Sequence, residues 1–234
     1  MHYGWRAKIG LVCPNTGLTY EYHKYAPEGV AYAIASILFE KVTPDGLAAL
    51  GDRVVEGARM VAGAEPDLIV FPCTTGSLIK GIGYDLELID RIEQATGIKA
   101  MTTTTAVISA LNAVEAKRIV VATPYPSDVN EIEKIFLEDS GFEVLQIEGL
   151  GYNNPRSMGK VTIDQMYHMA KKIDCKEADC IFISCTGIGI IGGIPMMEQD
   201  FRKPIITSNQ ATIWKLLQTL SIQDDLGLGQ LFSQ

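Results

Sequence analysis

The segment Glu65-Pro66-Asp67-Leu68-Ile69-Val70-Phe71-Pro72-Cys73-Thr74 returns at a constant offset of 112 as Glu177-Ala178-Asp179-Cys180-Ile181-Phe182-Ile183-Ser184-Cys185-Thr186, with five of ten positions identical. Two more pairs follow in the same order. Lys8-Ile9 to Pro14 matches Arg118-Ile119 to Pro124, and Thr102 with Ala106 matches Thr207 with Ala211. A single decapeptide match arises by chance, but three in sequence order point to a repeated unit. The chain of 234 residues is therefore expected to form two similar lobes related by an approximate twofold axis. The expected first lobe takes residues 1–106 plus 211–234 and carries Cys73; the second takes 107–210 and carries Cys185.

The repeated unit reads as α/β. Lys8 to Val12, Asp67 to Phe71, Arg118 to Ala122, Glu143 to Ile147, Cys180 to Ser184 and Pro204 to Thr207 are short β-branched runs, most of them apolar throughout. Strands covered on both faces have that composition, so each lobe should be a mainly parallel, Rossmann-like sheet flanked by helices. Helical periods fill the gaps. Leu47, Leu50, Val54, Ala58 and Val61 keep one behind Thr43 as N-cap, and Tyr84 to Thr96 is closed by Gly97.

In open parallel sheets ligands bind beyond the carboxyl ends of the strands. Cys73 and Cys185 each follow such a strand directly, so a twofold arrangement points both thiols into one cleft between the lobes. Each begins a turn read as leading into a helix, where backbone N–H groups and the helix dipole favour a thiolate. The same N–H groups, with the hydroxyls of Thr74, Thr75, Ser77 and Thr186, form a nest for a carboxylate, and Gly187 lets the backbone approach it. The plainer alternative, that both are small buried residues, suits either cysteine alone better than the matched pair. Pro14-Asn15 and its repeat mate Pro124-Tyr125 also fall at strand ends, as does the loop Tyr152-Asn153-Asn154-Pro155. Amides and a phenol are neutral donors suited to a carboxylate or enolate oxygen, though Pro and Asn also serve plain turns.

Other classes fit poorly. A formal net charge of −8 argues against a nucleic-acid partner. An odd count of five cysteines without a charged-then-apolar leader reads as reduced thiols in a cytoplasmic protein. The eighteen uncharged residues Cys180 to Met197 approach the length of a membrane span, but their glycines and Pro195 suit a strand running into a loop, so no membrane is expected. Gly187-Ile188-Gly189-Ile190-Ile191-Gly192 matches a dinucleotide fingerprint, yet Pro204 to Thr207, the strand after it, ends in Ser208-Asn209-Gln210 with no acidic partner for a ribose. Cys175, Cys180 and Cys185 are spaced too widely for a usual zinc site, so no metal is expected.

Several segments together resemble the aspartate/glutamate racemase superfamily, and within it the maleate cis-trans isomerase branch, with arylmalonate decarboxylase as a near relative. They are Cys73-Thr74-Thr75-Gly76-Ser77 with Gly83 to Ile89, Ala95-Thr96-Gly97 leading into Thr102 to Val107, Thr123-Pro124-Tyr125 with Val129-Asn130-Glu131, Ile183 to Thr186, and Ser208 to Trp214. The resemblance implies two pseudosymmetric lobes, no cofactor, a small carboxylate or dicarboxylate substrate and a homodimer. It implies that Cys73 is the nucleophile and Cys185 the proton donor and acceptor on the other face, with Asn15 and Tyr125 at substrate-binding positions. Decarboxylases of this kind keep only the second cysteine, so Cys73 speaks for isomerisation or racemisation. The loop bearing a substrate-binding Asn in maleate isomerases aligns near Pro155, with Asn153 and Asn154 adjacent, and Gly187-Ile188-Gly189 replaces a more polar run, so a less polar acid is expected. A malonate-type decarboxylase using Cys185 alone, and a non-catalytic carboxylate-binding module, are the alternatives.

Overall fold

The repeat reappears as two sheets of one plan. A computed structural model of the protein describes residues 2–14 and 19–234. The first half runs β1 (Ala7–Pro14), α1 (Thr19–Lys24), β2 (Val30–Ile37), α2 (Pro44–Ala62), β3 (Leu68–Phe71), α3 (Thr74–Leu78), α4 (Tyr84–Thr96) and β4 (Ala100–Thr102). After α5 (Thr103–Ala113), the second half runs β5 (Arg118–Thr123), α6 (Ser127–Asp139), β6 (Glu143–Gly149), α7 (Pro155–Met158), α8 (Ile163–Ile173), β7 (Cys180–Ile183), α9 (Ile194–Phe201), β8 (Ile205–Thr207) and α10 (Ser208–Thr219). Among the described residues the sheets are ordered β2-β1-β3-β4 and β6-β5-β7-β8, with every pairing parallel.

The central strands carry the pattern that sequence reasoning used. All four residues of β3 and all four of β7 are buried, as expected where helices cover both faces. The long helices begin where capping chemistry puts them. The Thr43 side chain accepts from the Gly46 N–H, Pro44 takes the first helical position, and Leu47, Leu50, Val54, Ala58 and Val61 form the buried face of α2. Gly97 closes α4. The stretch from Cys180 to Met197 divides into β7, a loop and the start of α9, and no helix among the described residues is long and apolar enough to cross a membrane.

Two strands, β2 and β4, were not expected. In β2 three alanines (Ala31, Ala33, Ala35) separate Val30, Ile34 and Ile37 and dilute the β-branched signal; it is an edge strand whose burial alternates only in part. β4 has three residues and runs straight into α5. A further difference bears on the site. Cys73 is followed at once by α3, as expected, whereas the chain after Cys185 runs through a turn and a short 3-10 segment, Ile191–Gly193, before α9 begins. Helices α5 and α10 pack together between the halves, with the Thr103 and Thr212 hydroxyls hydrogen-bonded at 2.9 Å.

Candidate active site

Both cysteine turns lie at the carboxyl ends of central strands, and they are tied to each other. The Thr186 hydroxyl donates to the Pro72 carbonyl at 2.9 Å, and the Thr74 hydroxyl donates to Ser208 Oγ at 2.8 Å. Ser208 Oγ also accepts from the Cys185 N–H at 3.0 Å. This last bond holds an unusual backbone: Cys185 has φ +113°, a region that L-residues rarely adopt and that costs about 1–3 kcal/mol.

Cys73 and Cys185 line one cavity with Pro14, Thr75, Tyr125, Thr186 and Gly187, as well as Phe39, Val42, Pro155 and Met158. The volume open to the centre of a water molecule is about 20 Å³. Among the described residues no charged side chain lines it, and their polar wall is made of the Thr75, Tyr125 and Thr186 side chains and the Gly187 backbone. The cover is apolar and comes from both halves. Phe39 and Val42 sit between β2 and α2, Pro155 and Met158 belong to α7, and the Val42 N–H donates to the Asn153 carbonyl at 2.9 Å across the seam.

Other sequence-predicted residues fall elsewhere. Thr74 is buried, but its hydroxyl is committed to Ser208, and the Ser77 hydroxyl is bonded to the Cys73 carbonyl and to Thr104. Asn153 and Asn154 are both exposed and do not line the cavity. The Asn154 side chain caps α7 by accepting from the Arg156 N–H, and Asn153 contributes its backbone carbonyl. The reason is local: Pro155 at the first turn of α7 turns its own ring and Met158 inward, leaving the amides outside. Asn15 lies outside the described residues. Cys13 and Cys180 are buried and Cys175 is half-buried, and none of the three lines the cavity.

Burial favours the protonated form of both thiols. Burial pushes Cys73 up to about 12 and Cys185 up to about 11, outweighing the opposing hydrogen bonds. Those bonds are present: the Gly76 backbone and the Thr75 hydroxyl favour the Cys73 thiolate, while Tyr125 and the Gly187 and Ile188 N–H groups favour that of Cys185. The expectation of readily ionised thiols at the turns is thus corrected by their desolvation. Position 76 must be glycine for the first arrangement, because a Cβ there would sit 2.7 Å from Cys73 Sγ. The Gly187 N–H reaches Cys185 Sγ at 3.1 Å.

Tyr125 is held from behind. Its N–H donates to Thr123 Oγ1 at 3.0 Å, the Thr123 hydroxyl donates to Asn130 Oδ1 at 2.6 Å, and its carbonyl accepts from the Gly151 N–H at 3.1 Å. Gly149 packs under the same turn, where an added Cβ would meet the Tyr125 carbonyl oxygen at 2.2 Å. Gly149→Ala is accordingly expected to displace the Tyr125 turn and cost about 1–3 kcal/mol, read as a lowered thermal midpoint with reduced turnover. An unchanged melt would show that the turn yields freely.

The family model for arylmalonate decarboxylase matches residues 8–232. The chain belongs to the arylmalonate decarboxylase family. It is 26% identical over 197 residues, 82% of each chain, to the arylmalonate decarboxylase of Bordetella bronchiseptica. It is 25% identical over 240 residues, 97% of this chain and 96% of the relative, to the maleate isomerase of Nocardia farcinica. Among solved structures, it resembles a variant of Nocardia farcinica maleate cis-trans isomerase with a covalently bound succinylcysteine intermediate, with a TM-score of 0.89 at 20% identity over 96% of this chain and 97% of that one. The family's curated relatives are enzymes, a decarboxylase and isomerases, and this chain is an enzyme of the same fold.

Phe39, Val42, Met158 and Ser208 were not foreseen as site residues. Only Ser208 carried a signal, since it follows a predicted strand end at a repeated position.

Proposed function

We propose that the protein is a cofactor-independent isomerase or racemase of a small carboxylic acid, working through Cys73 and Cys185. The observation that carries this reading is that one thiol from each half lines the same cavity. For a saturated acid, one cysteine, having first lost its own proton to water, takes the α-proton as the thiolate. The electron pair delocalises into the carboxylate as an enediolate, and the thiol of the other cysteine returns a proton to the opposite face. For a cis-alkene diacid, the Cys73 thiolate adds to the carbon beside a carboxylate and Cys185 protonates the neighbouring carbon. Rotation about the new single bond and reversal of both steps then give the trans acid. In either case charge builds on the substrate oxygens, and the neutral donors of the polar wall stabilise it in a site with little room for water.

The lining favours the saturated acid. One carboxylate fits against Thr75, Tyr125 and the Gly187 backbone, but a second would face Phe39, Val42, Pro155 and Met158 without a cation, at a cost of several kcal/mol. An acid with one carboxylate and an apolar α-substituent therefore suits this cavity better than maleate. The same cover supports a second reading, malonate-type decarboxylation, because a carboxylate pressed against it is relieved by leaving as carbon dioxide.

The test is to incubate the protein, with chelator and in deuterated buffer, separately with one enantiomer of a 2-aryl- or 2-alkylcarboxylic acid, with maleate and with a substituted malonate. Loss of optical purity with deuterium at the α-carbon is the expected result. Carbon dioxide release from the malonate that survives Cys73→Ala would transfer the assignment to decarboxylation.

A further inference from the structure

Behind the cavity lies a carboxyl group that the proposed mechanism does not use. Glu133, on α6, is fully buried, and the Ser184 hydroxyl donates to its Oε1 at 2.5 Å. Its Oε2 has no hydrogen-bond partner among the described residues. Ser184 immediately precedes Cys185, so this carboxyl is fixed to the backbone that presents the thiol.

The groups around Glu133 leave its charge unbalanced. Beyond β7 stands Cys185, and beyond β5 stands Tyr125; a charge on Glu133 raises the pKa of both. Helix α3, packed against α6, carries no titratable side chain. On β6, Glu143 is exposed and Glu148 is paired with Lys172. On α6 itself, Asp128, Glu131, Glu138 and Asp139 are exposed, and Lys134 is directed to Glu138. Among the described residues no cation faces the buried oxygens, and an anion with one orphaned oxygen is costly to bury. A neutral acid is the form this pocket accepts.

We propose that Glu133 is a positioning residue for Cys185 that also senses pH: neutral, it leaves the thiol able to ionise, and ionised, it holds the proton on the sulfur. This rests on the reading that Cys185 exchanges protons with substrate. Desolvation pushes the Glu133 carboxyl up to about 7, which puts the transition within the ordinary working range. The sign follows from the raised value. Below it Glu133 is uncharged, and as pH rises through it a buried negative charge develops behind Cys185, opposing formation of the thiolate.

The test reads the thiol directly and needs no substrate. Ultraviolet absorbance of the Cys185 thiolate is titrated in the full-length protein and in Glu133→Gln, each corrected by subtracting the matching Cys185→Ser protein. In Glu133→Gln the thiolate fraction of Cys185 at a given alkaline pH is expected to rise about tenfold, because the opposing charge is gone. Glu133→Met, which removes the charge and the hydrogen bond together, should give the same shift, whereas a purely structural role for the Ser184 bond predicts a shift in Glu133→Met alone. Infrared spectroscopy adds a second readout: a buried carboxylic C=O band that Glu133→Gln lacks, and that is thereby told apart from that of Glu21, the other buried glutamate, should disappear from the unaltered protein as pH is raised through neutrality. Equal Cys185 titration in wild type and Glu133→Gln, or no such band below neutrality, overturns the proposal. A shifted titration in a protein inactive on every carboxylate tried would instead overturn the functional reading and leave this one standing.

Discussion

Cys185→Ser is expected to lower turnover by about 10²- to 10⁴-fold, the usual contribution of a positioned acid or base, with little change in the melting temperature. A serine hydroxyl at this position keeps the hydrogen bonds from the Gly187 N–H and Tyr125 but hardly ionises, so the group stays in place and loses its proton chemistry. Cys73→Ser is expected to abolish stereochemical inversion to a similar degree. It should still permit exchange of the α-proton on the face that Cys185 serves, so deuterium would enter with retention. The double variant should be little slower in inversion than either single one, because residues that act as a unit do not contribute additively. Stopped assays by NMR and chiral chromatography separate these outcomes. Full inversion by both single variants would exclude the two-thiol mechanism.

The same thiols predict an alkaline weakness. Folding raises both from an ordinary value of 9.0, Cys73 to about 12 and Cys185 to about 11, so the folded state favours the protonated forms. Their contribution to stability is complete below the ordinary value and is lost as pH rises through the folded ones. Urea unfolding followed above neutrality should therefore show stability falling more steeply in the wild type than in the double serine variant.

The features legible in the sequence are those that repeat or have a period. The offset between Cys73 and Cys185 implied two like sheets, and the observed strand orders are the same in both. The caps at Thr43 and Gly97 and the buried stripe of α2 are local chemistry, readable within a few residues. β2 is hard to read because three alanines dilute its signal, although its repeat mate β6 implies a strand after β1. The cavity cover was illegible for another reason. Phe39 and Met158 are more than a hundred residues apart and line one cavity only because the segment after β2 and helix α7 both cover the same strand ends. Burial also decided what motif reading assigned to the helix dipole: the donors beside both thiols are where the turns suggested, yet desolvation outweighs them.

Ser208→Ala is expected to damage the site as severely as a change to a residue that touches substrate. The hydroxyl lies at the junction of the two cysteine turns, accepting from the Cys185 N–H at 3.0 Å and from the Thr74 hydroxyl at 2.8 Å. Its removal orphans two buried donors, each at a cost of about 1–3 kcal/mol. It also releases Cys185 from the backbone angle of +113° that the bond sustains. Relaxation of that strain turns the thiol away from the axis it shares with Cys73, and a displacement of about 1 Å at a reacting group costs roughly 10²-fold in rate. The variant should therefore melt earlier and turn over more slowly, with the loss in kcat rather than in KM, since the polar wall built by Thr75 and Tyr125 is untouched. Thr74→Val removes only the bond from the first half and leaves Cys185 held. Combined with Ser208→Ala it should add less than its own effect, because both changes break the same contact. Full additivity of the two, or a Ser208→Ala protein with wild-type kcat, would mean that each half orients its cysteine independently.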